Sequence, residues 1–364
     1  MYFYYYLLAF IMALYFILRI CKVKHSEDLF LKISFVVLIF VGVVRSTDVG
    51  GDLWHYLRAY DFFGDRSWTY LFTHRSKYGY IFAALIKTAH SINPSPQSLL
   101  AATNILTLIP VYIFIKKYSN NYLMSLFLYI SFGFYTNTFN SVRASLALGI
   151  GLFMMSFVVE RRWRMFFLCL IAAVEIHVSF LVFAVLYPMY KKKITLKYIC
   201  LTIGVSFILS RMASLWGRLS AMASSYDAGA YSNLDQSTGG FTLLFLMVAI
   251  TVAFFMINKK HLEKQIQLFM HCMIISCCVL AFATCFTVLT RVAIFFYISM
   301  IVLFPLTIKN MKNVDLRRFG SLAVYLLFFV YFALFVMQPL KEYDGSNNQR
   351  TLPYTTFWEK NGSV

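Results

Sequence analysis

Residues 45–60 read RSTDVGGDLWHYLRAY, and this stretch holds the first group of side chains suited to chemistry. The pair Gly50 and Gly51 breaks one helix, and Asp52 opens the next. An aspartate in that position ordinarily caps the helix by accepting backbone N–H groups. Yet Asp52, Tyr56 and Tyr60 are spaced by four and share one helix face, a strip of acceptor and aromatic groups. Such a strip suits a sugar, whose hydroxyls need acceptors and whose apolar ring faces stack on aromatics. Trp54, Phe62, Phe63 and Trp68 nearby read instead as an interfacial aromatic belt.

Arg143, in NSVRASLA at 140–147, falls in the first turn of an apolar helix, and Arg291, in TVLTRV at 287–292, has the same placement. A cation there opposes the helix dipole, so something negative should lie close by. Two arginines at helix N-termini on one side of a membrane form a clamp for a diphosphate, since helix N-termini and guanidinium forks both favour phosphate oxygens. The competing role is snorkelling to lipid headgroups. Arg45 sits at a helix C-terminus, where the dipole welcomes a cation and a purely structural role suffices. Glu175 and His177 interrupt the apolar run 165–190. Charge at membrane depth costs a few kcal/mol, so such residues usually face a cavity. His177 can take a proton from a sugar hydroxyl near neutral pH, or it is satisfied by a neighbouring helix. Glu175 either orients that imidazole or neutralises an arginine. Asp52 is the second candidate base. In the tail, Arg350, Pro353, Tyr354 and Phe357 either pack back onto the external mouth or fray.

The elements that must carry these groups follow from composition. Of 364 residues, 60% are hydrophobic and 13% charged, and the mean hydropathy of +0.69 exceeds what a soluble core and surface need. Uncharged runs recur at 98–115, 144–159, 239–258, 266–290, 292–308 and 319–338, each about the length of helix that crosses roughly 30 Å of hydrocarbon. Lipid cannot satisfy free backbone groups, and these runs lack the alternation of barrel strands, so the expected fold is an all-α, polytopic transmembrane bundle of about 10–12 spans. The run 2–18 has no basic leader and no small-residue cleavage site, and reads as a retained first span. One membrane domain over 1–338 is expected, with external loops at 45–78 and 211–240 and an external tail at 339–364.

The net charge of +18 is an orientation signal and not a nucleic-acid footprint, because no basic stripe interleaved with base-stacking aromatics lies outside the spans. Basic clusters at Arg19 to Lys24, Lys116 and Lys117, Arg161 to Arg164, 191–193, 259–264 and 309–318 are assigned to the cytoplasm. Segments 79–97 and 165–190 then begin and end on one side and read as re-entrant or half-span helices. The seven cysteines, Cys285 among them, have neither disulfide nor zinc spacing. No external carboxylate cluster suits a divalent cation, so neither a metal nor another cofactor is expected.

Arg45, Gly51 with Asp52 and Tyr56, Asn140 with Arg143 and Ala147, His177 with Ser179, Arg291 with Tyr297 and Pro305, and Pro353 with Tyr354 together resemble, in order and spacing, the EpsG-like group of Wzy-type polysaccharide polymerases. The resemblance spans nearly the whole chain. It implies a metal-independent glycosyltransferase in the bacterial inner membrane, facing the periplasm, that joins undecaprenyl-diphosphate-linked oligosaccharide repeats into O-antigen or a related surface polysaccharide. Its partners would be the lipid-linked oligosaccharide, membrane lipid and a chain-length regulator protein. In that chemistry His177, Asp52, Arg143 and Arg291 are the catalytic candidates; Arg45, Tyr56, Glu175 and Tyr354 would bind substrate. A flippase for the same lipid would carry polar residues deep in several spans, whereas here they gather on one face. An O-antigen ligase would want a longer external loop than 211–240, and an acyltransferase would need cytoplasmic access for its donor.

Overall fold

The computed structural model describes residues 2–74, 76–212, 264–284, 289–311, 313–338 and 350–359, with positions 242, 246, 247 and 250. The elements are α1 (Phe3–Ile20), α2 (Ser26–Val44), α3 (Leu53–Gly64), α4 (Trp68–Thr73), α5 (Tyr80–Ile92), α6 (Pro96–Tyr118), α7 (Tyr122–Ser131), α8 (Phe134–Asn140), α9 (Val142–Val159), α10 (Trp163–Ile176), a 3-10 stretch Val178–Val185, α11 (Leu186–Met189), α12 (Leu196–Ser210), α13 (Lys264–Ala281), α14 (Leu289–Tyr297), α15 (Met300–Lys309) and α16 (Val314–Tyr331). Among the described residues there is no strand, and an isolated antiparallel bridge joins Arg45 to Thr356.

Among the described residues six helical segments are long and apolar enough to cross a membrane: Phe3–Ile20, Pro96–Tyr118, Val142–Val159, Lys264–Ala281, Leu289–Lys309 and Val314–Val336. The protein is therefore a multi-pass, all-helical membrane protein. α2 is of similar length but begins with Glu27, Asp28 and Lys32. The expected run 239–258, apart from four positions, the loop 213–240, Cys285 and the stretch 339–349 lie outside the described residues. Among the described residues no group of three or more metal-type ligands occurs.

Helix boundaries obey local chemistry. Ser67, Ser95, Asn121 and Thr195 each cap a helix by accepting a backbone N–H, and Pro96 follows Ser95 at the first helical position, where its missing N–H costs nothing. Segment 79–97 becomes the 13-residue α5, which stops at Ile92 ahead of Pro94. At 1.5 Å per residue it is about 20 Å long, too short to span. Segment 165–190 is likewise not one continuous helix: α10 ends at Ile176, and a 3-10 stretch follows from Val178.

The chain divides into two compact units, one of Met1–Phe157, Arg164–Leu181 and Ser321–Val364, the other of Val158–Trp163 and Val182–Gly320. In the first, α2 packs along α6 and α1 along α2, while α3 lies on α5. The Tyr60 hydroxyl closes the corner between α3, α5 and α6, donating to the carbonyl of Asn93 at 2.7 Å and sharing a proton with Ser98 Oγ at 2.6 Å. In the second, α13 is the central helix, packed against α12, α14 and α15. Its buried His271 places Nε2 2.9 Å from the Lys192 carbonyl oxygen, and Phe183 stacks on Phe296 at 5.3 Å.

Candidate functional site

The break after Ile176 organises the first unit's polar centre. When α10 stops, its last carbonyls lose their intrahelical partners and carry the negative end of the helix dipole. Arg143, in the first turn of α9, donates Nε to the Ile176 carbonyl oxygen at 2.9 Å. The negative partner that a cation at a helix N-terminus demands is thus the C-terminus of another helix. The guanidinium lies 5.3 Å from the Tyr78 ring and 5.8 Å from the Phe82 ring. No described residue accepts a hydrogen bond from its two Nη groups, and the side chain is half-buried.

Glu175, two residues before His177, serves the opposite helix end. Its Oε2 accepts the backbone N–H of Tyr80 at 3.4 Å, at the N-terminus of α5, where a carboxylate complements the dipole. Gly79 precedes that N–H with φ +75°, and a Cβ there would collide with the Glu175 carbonyl oxygen. Left-handed backbone and close approach both require glycine at this position. His177 follows directly on the carbonyl that Arg143 holds. Its own N–H bonds to Ala173, its carbonyl accepts from Phe180 N, and its Nδ1 is shielded from solvent.

Asp52 enters from the loop between α2 and α3. It occupies the N-cap position of α3, but its carboxylate makes no capping bond. Its backbone N–H donates instead to Asn140 Oδ1 at 2.8 Å, three residues before Arg143. Gly50, with φ +122°, lies against the Phe139 carbonyl where no side chain could fit. One turn into α3, Tyr56 sets its ring 6.5 Å from Tyr78 and 5.7 Å from Phe82. Tyr78 in turn donates its hydroxyl to the His55 carbonyl at 3.2 Å. The side chains of Tyr56, Arg143 and Glu175 thus meet around Tyr78 and Tyr80 at the ends of α3, α5, α9 and α10, and the backbone at Asp52 and His177 adjoins them.

Arg45 and Tyr354 form a second, separate group. Arg45 is 1% exposed. It donates Nη1 to the Gly42 carbonyl at 2.8 Å and lies 4.3 Å from the Phe139 ring. Among the described residues its Nε has no hydrogen-bond partner, and its electrostatic neighbours are the phenols of Tyr4, Tyr135 and Tyr354 with no carboxylate among them. Tyr354 donates to the Val41 carbonyl at 2.7 Å and stacks on Phe3 at 3.9 Å. Burial pushes its phenol up to about 12, against the pull of Arg45. The tail is docked rather than frayed: Ser46 N donates to the Thr355 carbonyl, Phe357 N to that of Val44, and Gly50 N to that of Arg350. Arg291 stands in the first turn of α14, within the second unit.

Sequence reasoning gave no site role to Tyr78, Gly79 and Phe82. A glycine between two tyrosines at 78–80 was the available signal. Arg350 has φ +48°, and its aliphatic stem packs on Gly51.

No curated protein and no solved structure matches the chain. The profile of the EpsG family matches residues 28–356, which takes in every site residue named above. That match runs from the start of α2 through the docked tail, and by it the chain belongs to the EpsG family, a family linked to exopolysaccharide synthesis.

Proposed function

We propose that this chain is a membrane glycosyltransferase that polymerises oligosaccharide repeats carried on a lipid diphosphate, undecaprenyl diphosphate in a bacterial inner membrane, with the reaction centre on the periplasmic side. The observation that carries the reading is Arg143: anchored by Nε, flanked by aromatic rings, half-buried, with both Nη groups unclaimed by any described residue. A guanidinium fixed in this way offers its outer edge as a fork for phosphate oxygens.

In the reaction, a hydroxyl of the acceptor repeat attacks the anomeric carbon of the donor glycan, and the bond from that carbon to the lipid diphosphate oxygen breaks. The acceptor proton passes to His177, with Asp52 as the alternative base. The departing diphosphate gathers negative charge, which the Arg143 fork and the N-terminus of α9 stabilise more strongly than they do the bound ester. Tyr56, part-exposed beside this group, supplies ring surface for the sugars next to the scissile bond. Glu175 sets the start of α5, and hence the position of Tyr78.

The test is deletion of the gene, with surface polysaccharide separated on gels. Loss of the ladder with a single repeat retained on its acceptor supports polymerisation; loss of every repeat points to a flippase or ligase. Complementation with His177→Ala at wild-type abundance should fail to restore long chains, and a normal ladder would remove His177 from the mechanism.

A further inference from the structure

From Trp54 to His74 every fourth residue is aromatic or cationic in alternation: Trp54, Arg58, Phe62, Arg66, Tyr70, His74. Within α3, spacing by four places Trp54, Arg58 and Phe62 on one helix face, while Arg66, in the turn between α3 and α4, bridges Phe62 to Tyr70 of α4, and two stacks result. In the first, the Arg58 guanidinium lies 4.6 Å from the Trp54 ring. In the second, Arg66 lies 4.9 Å from Phe62 and 5.2 Å from Tyr70, and Tyr70 stacks on the His74 ring at 4.3 Å. Trp54 and Phe62 stay nearly half exposed, and both arginines are exposed. Neither arginine pairs with Asp61 or Asp65, although both acids lie close in sequence, and neither donates a hydrogen bond to any described residue. On α4 the exposed rings of Trp68 and Phe72 stack, and Phe72 stacks in turn on the half-buried Tyr80 at the start of α5.

We propose that α3 and α4 form a binding surface for anionic phospholipid headgroups, with Arg58 and Arg66 as the phosphate-binding groups and the Trp68–Phe72 row as its apolar anchor. The chemistry of the stacks decides against a neutral sugar. A sugar ring needs an open aromatic face, and here guanidinium groups lie over the faces of Trp54, Phe62 and Tyr70. What remains outward is the N–H edge of each arginine, held flat by the ring beneath it and free to donate two parallel bonds to an anion. The adjoining row of exposed rings then selects among anions. A tryptophan and a phenylalanine beside cations match the headgroup layer, where one part of the surface meets acyl chains and the other meets phosphate. Helices of 12 and 6 residues cannot cross the bilayer, but they can lie on it. This surface does not depend on the polymerase reading, since neither arginine takes part in the proposed chemistry.

The test is a titration of the purified full chain with short-chain phosphatidylglycerol and phosphatidylcholine, read by native mass spectrometry. Each arginine near an anionic surface contributes about fivefold, so wild type should prefer phosphatidylglycerol by about tenfold or more. Arg58→Gln with Arg66→Gln should lose that preference, whereas Arg318→Gln, an exposed control, should keep it. Arg58→Lys with Arg66→Lys retains charge without the fork and should fall between the two, which keeps the proposal testable if the glutamine pair is poorly folded. Trp54→Leu should weaken the preference by about threefold, since the ring no longer holds Arg58. Equal binding of both lipids by wild type, or an unchanged preference in the glutamine pair, would overturn the proposal. So would displacement of phosphatidylglycerol by a uronic-acid oligosaccharide, an outcome that would assign the stacks to glycan.

Discussion

Two arginines of the first unit, Arg45 and Arg143, both sit at helix ends and both lie over aromatic rings, yet they are placed for opposite purposes. Arg143 is tethered by Nε to the end of another helix, which leaves both Nη groups without an acceptor among the described residues. Arg45 donates Nη1 to Gly42 of its own helix and is sealed by Phe139, Tyr4, Tyr135 and the docked tail. What separates them is which nitrogen is committed and whether the covering groups leave a way in. A cation sealed on all sides with Nη1 spent on its own helix is a packing element; one held by Nε keeps its recognition edge.

The largest effect should come from Arg143→Ala. Losing a group that stabilises developing charge lowers turnover by about 100- to 1,000-fold, so long glycan should vanish from gels while thermal stability in detergent stays near wild type. Arg143→Lys should restore little, because an ammonium cannot form the paired contact. A fall in stability equal to the fall in activity would erase the contrast, making Arg143 a structural cap of α10.

Arg45→Ala should act in the reverse sense. Deleting a large, fully buried side chain costs on the order of 3 kcal/mol, visible as a lower unfolding temperature and reduced accumulation. Arg45→Met fills similar space and introduces no buried charge, so it should be tolerated within about 1.5 kcal/mol with chain elongation preserved. If Arg45→Met folds well but makes no polymer, Arg45 belongs with the chemistry after all.

Gly79→Ala tests the link between α5 and α10. Its φ of +75° and the Glu175 carbonyl against it predict a loss of about 1–3 kcal/mol by chemical or thermal unfolding. A neutral result would mean that the start of α5 is not fixed by that approach. The smallest effect is expected from Tyr354→Phe, which keeps the stack on Phe3 and loses the bond to Val41, a change of about 1 kcal/mol. Activity should be unaltered, as the hydroxyl is spent within the Arg45 group.

The helical architecture was legible because lipid leaves an apolar run such as 98–115 or 144–159 one way to satisfy its backbone. Asp52, Tyr56, Arg143, Glu175 and His177 were legible for the complementary reason, as polar groups in places where polarity is costly or aligned on one face. Their partners were not. The contact of Arg143 with Ile176 and that of Glu175 with Tyr80 depend on which helix ends meet, which no local spacing encodes. Arg45 shows the limit most directly: its place at a helix C-terminus allowed a structural role, while the groups that bury it, Tyr4 and Tyr354, lie near opposite ends of the sequence. Similarly, Asp52 stands at the N-cap of α3 without a side-chain capping bond, and the partner of its backbone N–H, Asn140 Oδ1, lies 88 residues along the chain.

The docked tail bears on how the molecule is built. Tyr4 donates to the carbonyl of Thr351 across 347 residues of chain, and the Gly50 amide is satisfied by Arg350. During synthesis the N-terminal helices and the loop that presents Asp52 enter the bilayer without these partners, and they gain them after residues 350–357 emerge. Closure of that loop is thus a late event in biogenesis, and a protease added to nascent chains should find the 45–51 hinge open until then.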